Sequence, residues 1–173
     1  MEVLTTNTCE AWGRLYDLLL ESGVDSVVSG VPVMELNWIS IHVENPLLES
    51  RISIRFYKLC EEIQLGVGSM PNVYMKQITN QVTEGYWWEV YRRPIWEQIP
   101  RLVTFLKENS SYNKPSITIR DSVVHLGGSN TPCLMHLTFQ IRDSRLEMGA
   151  HFDTNAIEYL QTNMYGLTEL QRN

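Results

Sequence analysis

Cys133 follows Pro132 at the start of an apolar, alternating run, where a thiol at a strand mouth can face a cleft and act as a nucleophile. The residue type alone leaves two readings open, an inert buried cysteine and a reactive one. Other chemistries find less support. His42, His125, His136 and His151 are widely separated, with no CxxC or HxxxH spacing, so no metal site is expected. Gly66-Val67-Gly68-Ser69-Met70-Pro71 lacks the Lys-Ser/Thr of a phosphate loop and the third glycine of a dinucleotide loop, and reads as a turn. Ser129 lacks the flanking pattern of a nucleophile elbow, and Asn109-Ser110-Ser111, a glycosylation acceptor in form, reads as a loop.

These residues need elements to hold them. Trp12, Leu15, Leu18 and Leu19 recur at helical spacing and predict a helix over 9–22, capped by Thr8 and ended at Gly23. Residues 36–43 alternate and predict a strand after the Gly/Pro-punctuated stretch 29–33, whereas 52–90 fits either period. Pro94 opens a helix carrying Ile95, Ile99, Leu102, Val103 and Leu106, with Pro100 expected to kink or restart it. A strand is expected over 116–124, then a Gly127-Gly128 loop. Next comes a hairpin of 134–141 and 146–152 turning at Asp143-Ser144. A last helix from about Ala156 is expected to bury Tyr159, Leu160, Met164, Leu167 and Leu170. The expectation is an α/β (α+β) single domain over 1–173, with a mixed or antiparallel sheet flanked by helices.

Composition agrees with one core: 173 residues, 43% of them apolar. A net charge of −6 with scattered basic residues argues against a nucleic-acid partner. No apolar run reaches the ~20 residues of a membrane span. The N-terminus resembles no signal segment, and three widely spaced cysteines suit reduced thiols, so a cytoplasmic protein is expected.

The run from Pro132-Cys133 through Phe139-Gln140-Ile141-Arg142-Asp143 to Leu146-Glu147-Met148 resembles the catalytic hairpin of thymidylate synthases. Asn163-Met164-Tyr165-Gly166-Leu167 is similar to the helix that carries that family's substrate-binding Asn. Thr8-Cys9-Glu10-Ala11-Trp12, Glu35-Leu36 through Glu44-Asn45-Pro46, and Gln98-Ile99 resemble parts of its shorter, archaeal-type or phage-type members. The resemblance implies a pyrimidine C5 methyl- or hydroxymethyltransferase of nucleotide biosynthesis. Cys133 would add to C6 of the base, Asn163 would bind its edge, and a reduced folate would donate the one-carbon unit. It also implies a homodimer packed sheet against sheet, an arrangement that strands with two apolar-rich faces would favour.

The departures concern phosphate. Counted from Cys133, the family's phosphate-binding Arg-Ser falls on Asp153-Thr154, so the hydroxyl survives and the cation becomes an anion. The tandem arginines fall on Asn113-Lys114, and Ser29-Gly30-Val31 has no arginine. Each charge-assisted contact contributes about 1.5–3 kcal/mol, so their loss predicts weak or absent dUMP binding. The family's His-x-Tyr strand and closing segment have no counterpart, so the chain is expected to lack that C-terminal part. Three functions are compatible with this degenerate site: a diverged C5 one-carbon transferase, a catalytically inactive structural or interaction protein, and a pyrimidine or nucleotide binding module. The aromatic cluster from Tyr86 to Trp96 around Arg92-Arg93 would serve the second through a protein partner, or pack internally.

Overall fold

A computed structural model describes residues 1–63, 88–112, 115–126 and 131–172. The chain divides into two compact units, Met1–Asn72 with Ala156–Thr168, and Val73–Asn155 with Glu169–Asn173.

In the first unit, strand β1 (Glu2–Thr5) pairs in parallel with β4 (Ser40–Val43). Helix α1 (Thr8–Ser22) follows β1, and β2 (Val24–Val28) and β3 (Val31–Glu35) form an antiparallel hairpin. Of the predicted 36–43 strand only the second half forms, as β4, and residues 36–39 connect it to β3, which ends at Glu35. The stretch around Ser29-Gly30 is a hairpin turn, because both residues take positive φ, 53° and 81°. Asn7, not Thr8, caps α1: its side chain accepts from the Glu10 amide at 2.9 Å, while the Glu10 carboxylate accepts from the Thr6 amide at 2.8 Å. The Thr6 bond foremost, and then the charge of Arg14, hold the Glu10 carboxyl below its usual pKa. Thr8 instead donates its buried hydroxyl to the Arg51 carbonyl at 2.8 Å. Gly23 ends the helix as expected, because a Cβ there would collide with the Leu19 carbonyl and Met34.

Helix α2 (Ile54–Glu62), capped by Ser53, and the long helix α4 (Ile157–Arg172) complete this unit, the last turn of α4 belonging to the second. Its core is Trp12, Phe56 and Cys60, with Tyr16, Ile52, Leu59, Ile157, Leu160 and Met164 packed around them. Trp12 stacks on Tyr16 at 5.1 Å, meets Phe56 edge-on at 5.6 Å, and donates its indole N–H to the Ile157 carbonyl at 2.9 Å. Gln161 is fully buried and fully used: its amide donates to the Arg51 carbonyl (2.9 Å) and the Thr8 carbonyl (3.4 Å), and its oxygen accepts from the Ser53 amide (3.3 Å). Tyr159, expected inside, is 46% exposed, whereas Leu167 and Leu170 are buried as expected.

In the second unit, a π-helical turn (Trp88–Arg92) runs into helix α3 (Arg93–Glu108), which continues through Pro100 without a break. Gln98 clasps the strand beside it, donating to the Thr118 carbonyl at 2.8 Å and accepting from its amide at 3.2 Å. Strands β5 (Ser116–Thr118), β6 (Leu134–Arg142) and β7 (Arg145–Phe152) form an antiparallel sheet in that order. The hairpin turns at Asp143-Ser144 as predicted, with φ 48° and 61°. β5 is shorter than expected: beyond it, the amides of Ile119 and Arg120 both donate to the Met135 carbonyl, at 2.9 and 3.0 Å, and Asp121 opens a tight turn. The predicted Gly127-Gly128 loop lies outside the described residues.

Leu134, Leu137, Phe139 and Ile117 are buried on one face of this sheet. The cross-strand pairs between them are polar: His136 opposite His151, Thr138 opposite Gly149, Gln140 opposite Glu147. This sheet has one apolar face rather than two, because period-2 alternation places the two residue classes on opposite sides.

Candidate functional site

Pro132 is fully buried, which fixes the entry to β6 and sets the next residue at the strand's open end. Both backbone groups of Cys133 are anchored. Its amide donates to the Tyr91 hydroxyl at 3.1 Å, and its carbonyl accepts from the Asp153 amide at 2.9 Å, which extends the β6–β7 ladder past Phe152. The side chain is left exposed. Cys133 thus stands apart from Cys60, which is buried and whose thiol pKa is pushed up by burial and by the nearby Glu158 carboxylate. A protonated, enclosed thiol is a poor nucleophile and an exposed one on a pinned backbone is an accessible one.

One side chain meets the Cys133 sulfur, and an ion pair holds the neighbouring Asp153. The Thr154 hydroxyl donates to Sγ at 3.8 Å. Asp153 is bound by the Arg120 guanidinium at 2.6 Å, Arg120 being about one quarter exposed and Asp153 about half. Asp121, next to Arg120, accepts from the amides of Val124 and Val123, and these bonds lower its carboxyl pKa. The charge of His125 adds to that lowering. Asp153, the anion at the position of the family's cation, is an ion-pair partner, so its repulsion is offset locally by Arg120. A pair this exposed contributes about 0–1 kcal/mol to stability, which makes its placement more informative than its strength.

The arginine lies where the chain runs on from β5: Ile119 continues the β5–β6 register opposite Met135, and Arg120 shares the same Met135 carbonyl. On the other side of β6, the ladder to β7 shifts register at a β-bulge between Leu134 and His136. Beyond the bulge, the His136 and His151 rings stack at 4.1 Å and 16° across the strands. Burial first, and then the charge of His151, lowers the pKa of His136. Among the described residues no three His, Cys, Asp or Glu side chains gather as metal ligands would.

Of the residues singled out from the sequence, Cys133, Asp153 and Thr154 come together in the second unit. Asn163 lies on α4 in the first unit and is buried. Lys114, Tyr86 and Trp87 lie outside the described residues. Tyr91 of the aromatic cluster is buried, with its hydroxyl serving Cys133, and Arg93 pairs with Glu89 at 2.8 Å. Arg120 and Tyr91 were not anticipated as site residues. Arg120 sat within a run read as regular strand.

No family model matches the chain, and no curated protein matches it. Among solved structures it is similar to the thermostable thymidylate synthase A from Bacillus subtilis, with a TM-score of 0.55 and 15% identity over 96% of this chain and 72% of that one. The chain has a thymidylate-synthase-like fold. No described helix is long and apolar enough to cross a membrane.

Proposed function

We propose that the chain is a diverged thymidylate-synthase-like protein whose Cys133 adds to C6 of a pyrimidine that carries no 5′-phosphate. The observation that carries this reading is the exposed Cys133 thiol on a doubly anchored backbone, with the Thr154 hydroxyl on its sulfur. In the step itself the Cys133 thiol releases its proton to water, the thiolate sulfur forms a bond to C6, and the electron pair of the C5–C6 double bond moves to C5, which attacks the one-carbon unit or, without a donor, takes a proton from water. Thr154 orients the sulfur. The Arg120–Asp153 pair offers one donor and one acceptor edge to a neutral heterocycle or sugar hydroxyl. A phosphate dianion would have to compete with Asp153 for Arg120. A reduced folate would supply the carbon unit.

Calorimetric titration of deoxyuridine and dUMP tests the charge argument. The phosphate should add no affinity, so that dUMP binds no more tightly than the nucleoside. Micromolar dUMP affinity would overturn it.

A second reading, an interaction protein built on the same fold, is favoured by one feature of the first unit. The β2–β3 hairpin exposes Val24, Val27, Val28, Val31 and Met34, the first four at 49–67%. Apolar side chains this dense on a hairpin suit a protein-covered surface. We propose a second copy of the chain as the cover. Sedimentation equilibrium should then find twice the 20.1 kDa monomer mass at micromolar concentration, and Val27→Lys should shift the population to monomer. A wild-type monomer under those conditions would rule the dimer out.

A further inference from the structure

Independently of the Cys133 cluster, the first unit holds a cavity of about 250 Å³ lined by Glu49, Ser50, Arg51, Ile52, Tyr57 and Tyr165. Arg51 is 7% exposed, and a guanidinium removed from water must be met by acceptors or an anion. Its Cζ lies 4.2 Å over the Tyr165 ring, Nη2 donates to the Tyr165 hydroxyl at 3.1 Å, and Nε donates to Glu49 Oε1 at 3.2 Å. The other Glu49 oxygen accepts from the Arg51 amide at 3.3 Å.

The two partners of this ion pair differ in how they are held. The Arg51 carbonyl accepts from the buried Thr8 hydroxyl and the buried Gln161 amide, and the side chain is clamped on Tyr165. The Glu49 side chain is 76% exposed. A fixed, buried cation thus faces a carboxylate that water can replace at little cost, since exposed members of ion pairs are weakly held.

We propose that this cavity binds a small carboxylate ligand, which takes the place of the Glu49 carboxylate on Arg51. Glu49 is then an internal stand-in that shows which donors the ligand meets: the guanidinium edge and the Arg51 amide. Guanidinium geometry matches a carboxylate, and Ile52 and Tyr57 provide an apolar wall for the rest of the molecule. The volume falls below the roughly 300–1,000 Å³ of drug-sized sites, so the ligand is a short alkyl or single-ring acid.

Benzoate is the probe, titrated calorimetrically into the full chain at constant ionic strength. Saturable binding is expected. Glu49→Gln, at an exposed position, removes the competitor and should tighten binding by about tenfold. Amide chemical-shift changes on benzoate addition should centre on Ser50–Ile52 and Tyr165, which locates the site without altering Arg51. Absence of saturable binding to both forms would overturn the proposal. So would an unchanged affinity in Glu49→Gln, or shift changes confined elsewhere. None of these outcomes bears on Cys133.

Discussion

Replacing Cys133 with alanine should remove, by about 10⁴-fold or more, the exchange of the C5 hydrogen of deoxyuridine with solvent deuterium. Addition of a thiol to C6 is what makes C5 exchangeable, and Cys133 is the exposed cysteine of the three. Cys60 cannot substitute, because it is buried and its proton is held more tightly than usual. The fold should tolerate the change, since the anchors at Cys133 are backbone groups that alanine retains. Proton NMR of the C5 signal, with circular dichroism as the folding control, reads both outcomes. Exchange that persists in a folded Cys133→Ala variant would remove the nucleophile from the account.

Trp12→Ala should destabilise the first unit by about 3–5 kcal/mol, the range for deleting a large aromatic from a core. Trp12 is fully buried, stacks on Tyr16, meets Phe56 edge-on and donates to the Ile157 carbonyl. That last bond ties α1 to α4 across most of the sequence, so truncation leaves a cavity and removes the tie. Urea unfolding followed by circular dichroism measures the loss. A change below about 1 kcal/mol would mean that this core is not the one holding the helices together.

What could be read from the sequence was local. The β6–β7 hairpin announces itself because its alternation is unbroken on both arms and Asp143-Ser144 can adopt positive φ. The three long helices have continuous apolar stripes, and Pro100 fails to interrupt α3. What could not be read was non-local. β1 has four residues and pairs with a strand nearly forty positions away, so neither length nor period marks it. The β2–β3 hairpin hides in a valine-rich stretch whose turn, Ser29-Gly30, is a weaker signal than Asn-Gly. Helix α2 is short, and its buried pair Phe56 and Cys60 gives a single i, i+4 spacing.

The candidate site divides in the same way. Cys133 was singled out by its residue type and its place at the mouth of the hairpin, and Thr154 by the resemblance, counted from Cys133. The pairing of Asp153 with Arg120 was not, since it joins the segment beyond β5 to the end of β7, a contact between positions 33 residues apart. That pair gives the anion at Asp153 a cationic partner.

The most direct measurement is the C5-hydrogen signal of deoxyuridine and of dUMP, followed separately by NMR in deuterium oxide with the wild-type chain. The account predicts loss of the deoxyuridine signal, and a slower loss or none with dUMP, because the nucleophile is accessible while Asp153 occupies the cation that a phosphate would need. Exchange of dUMP with deoxyuridine left untouched would contradict the charge argument, and no exchange of either would contradict the assignment of Cys133.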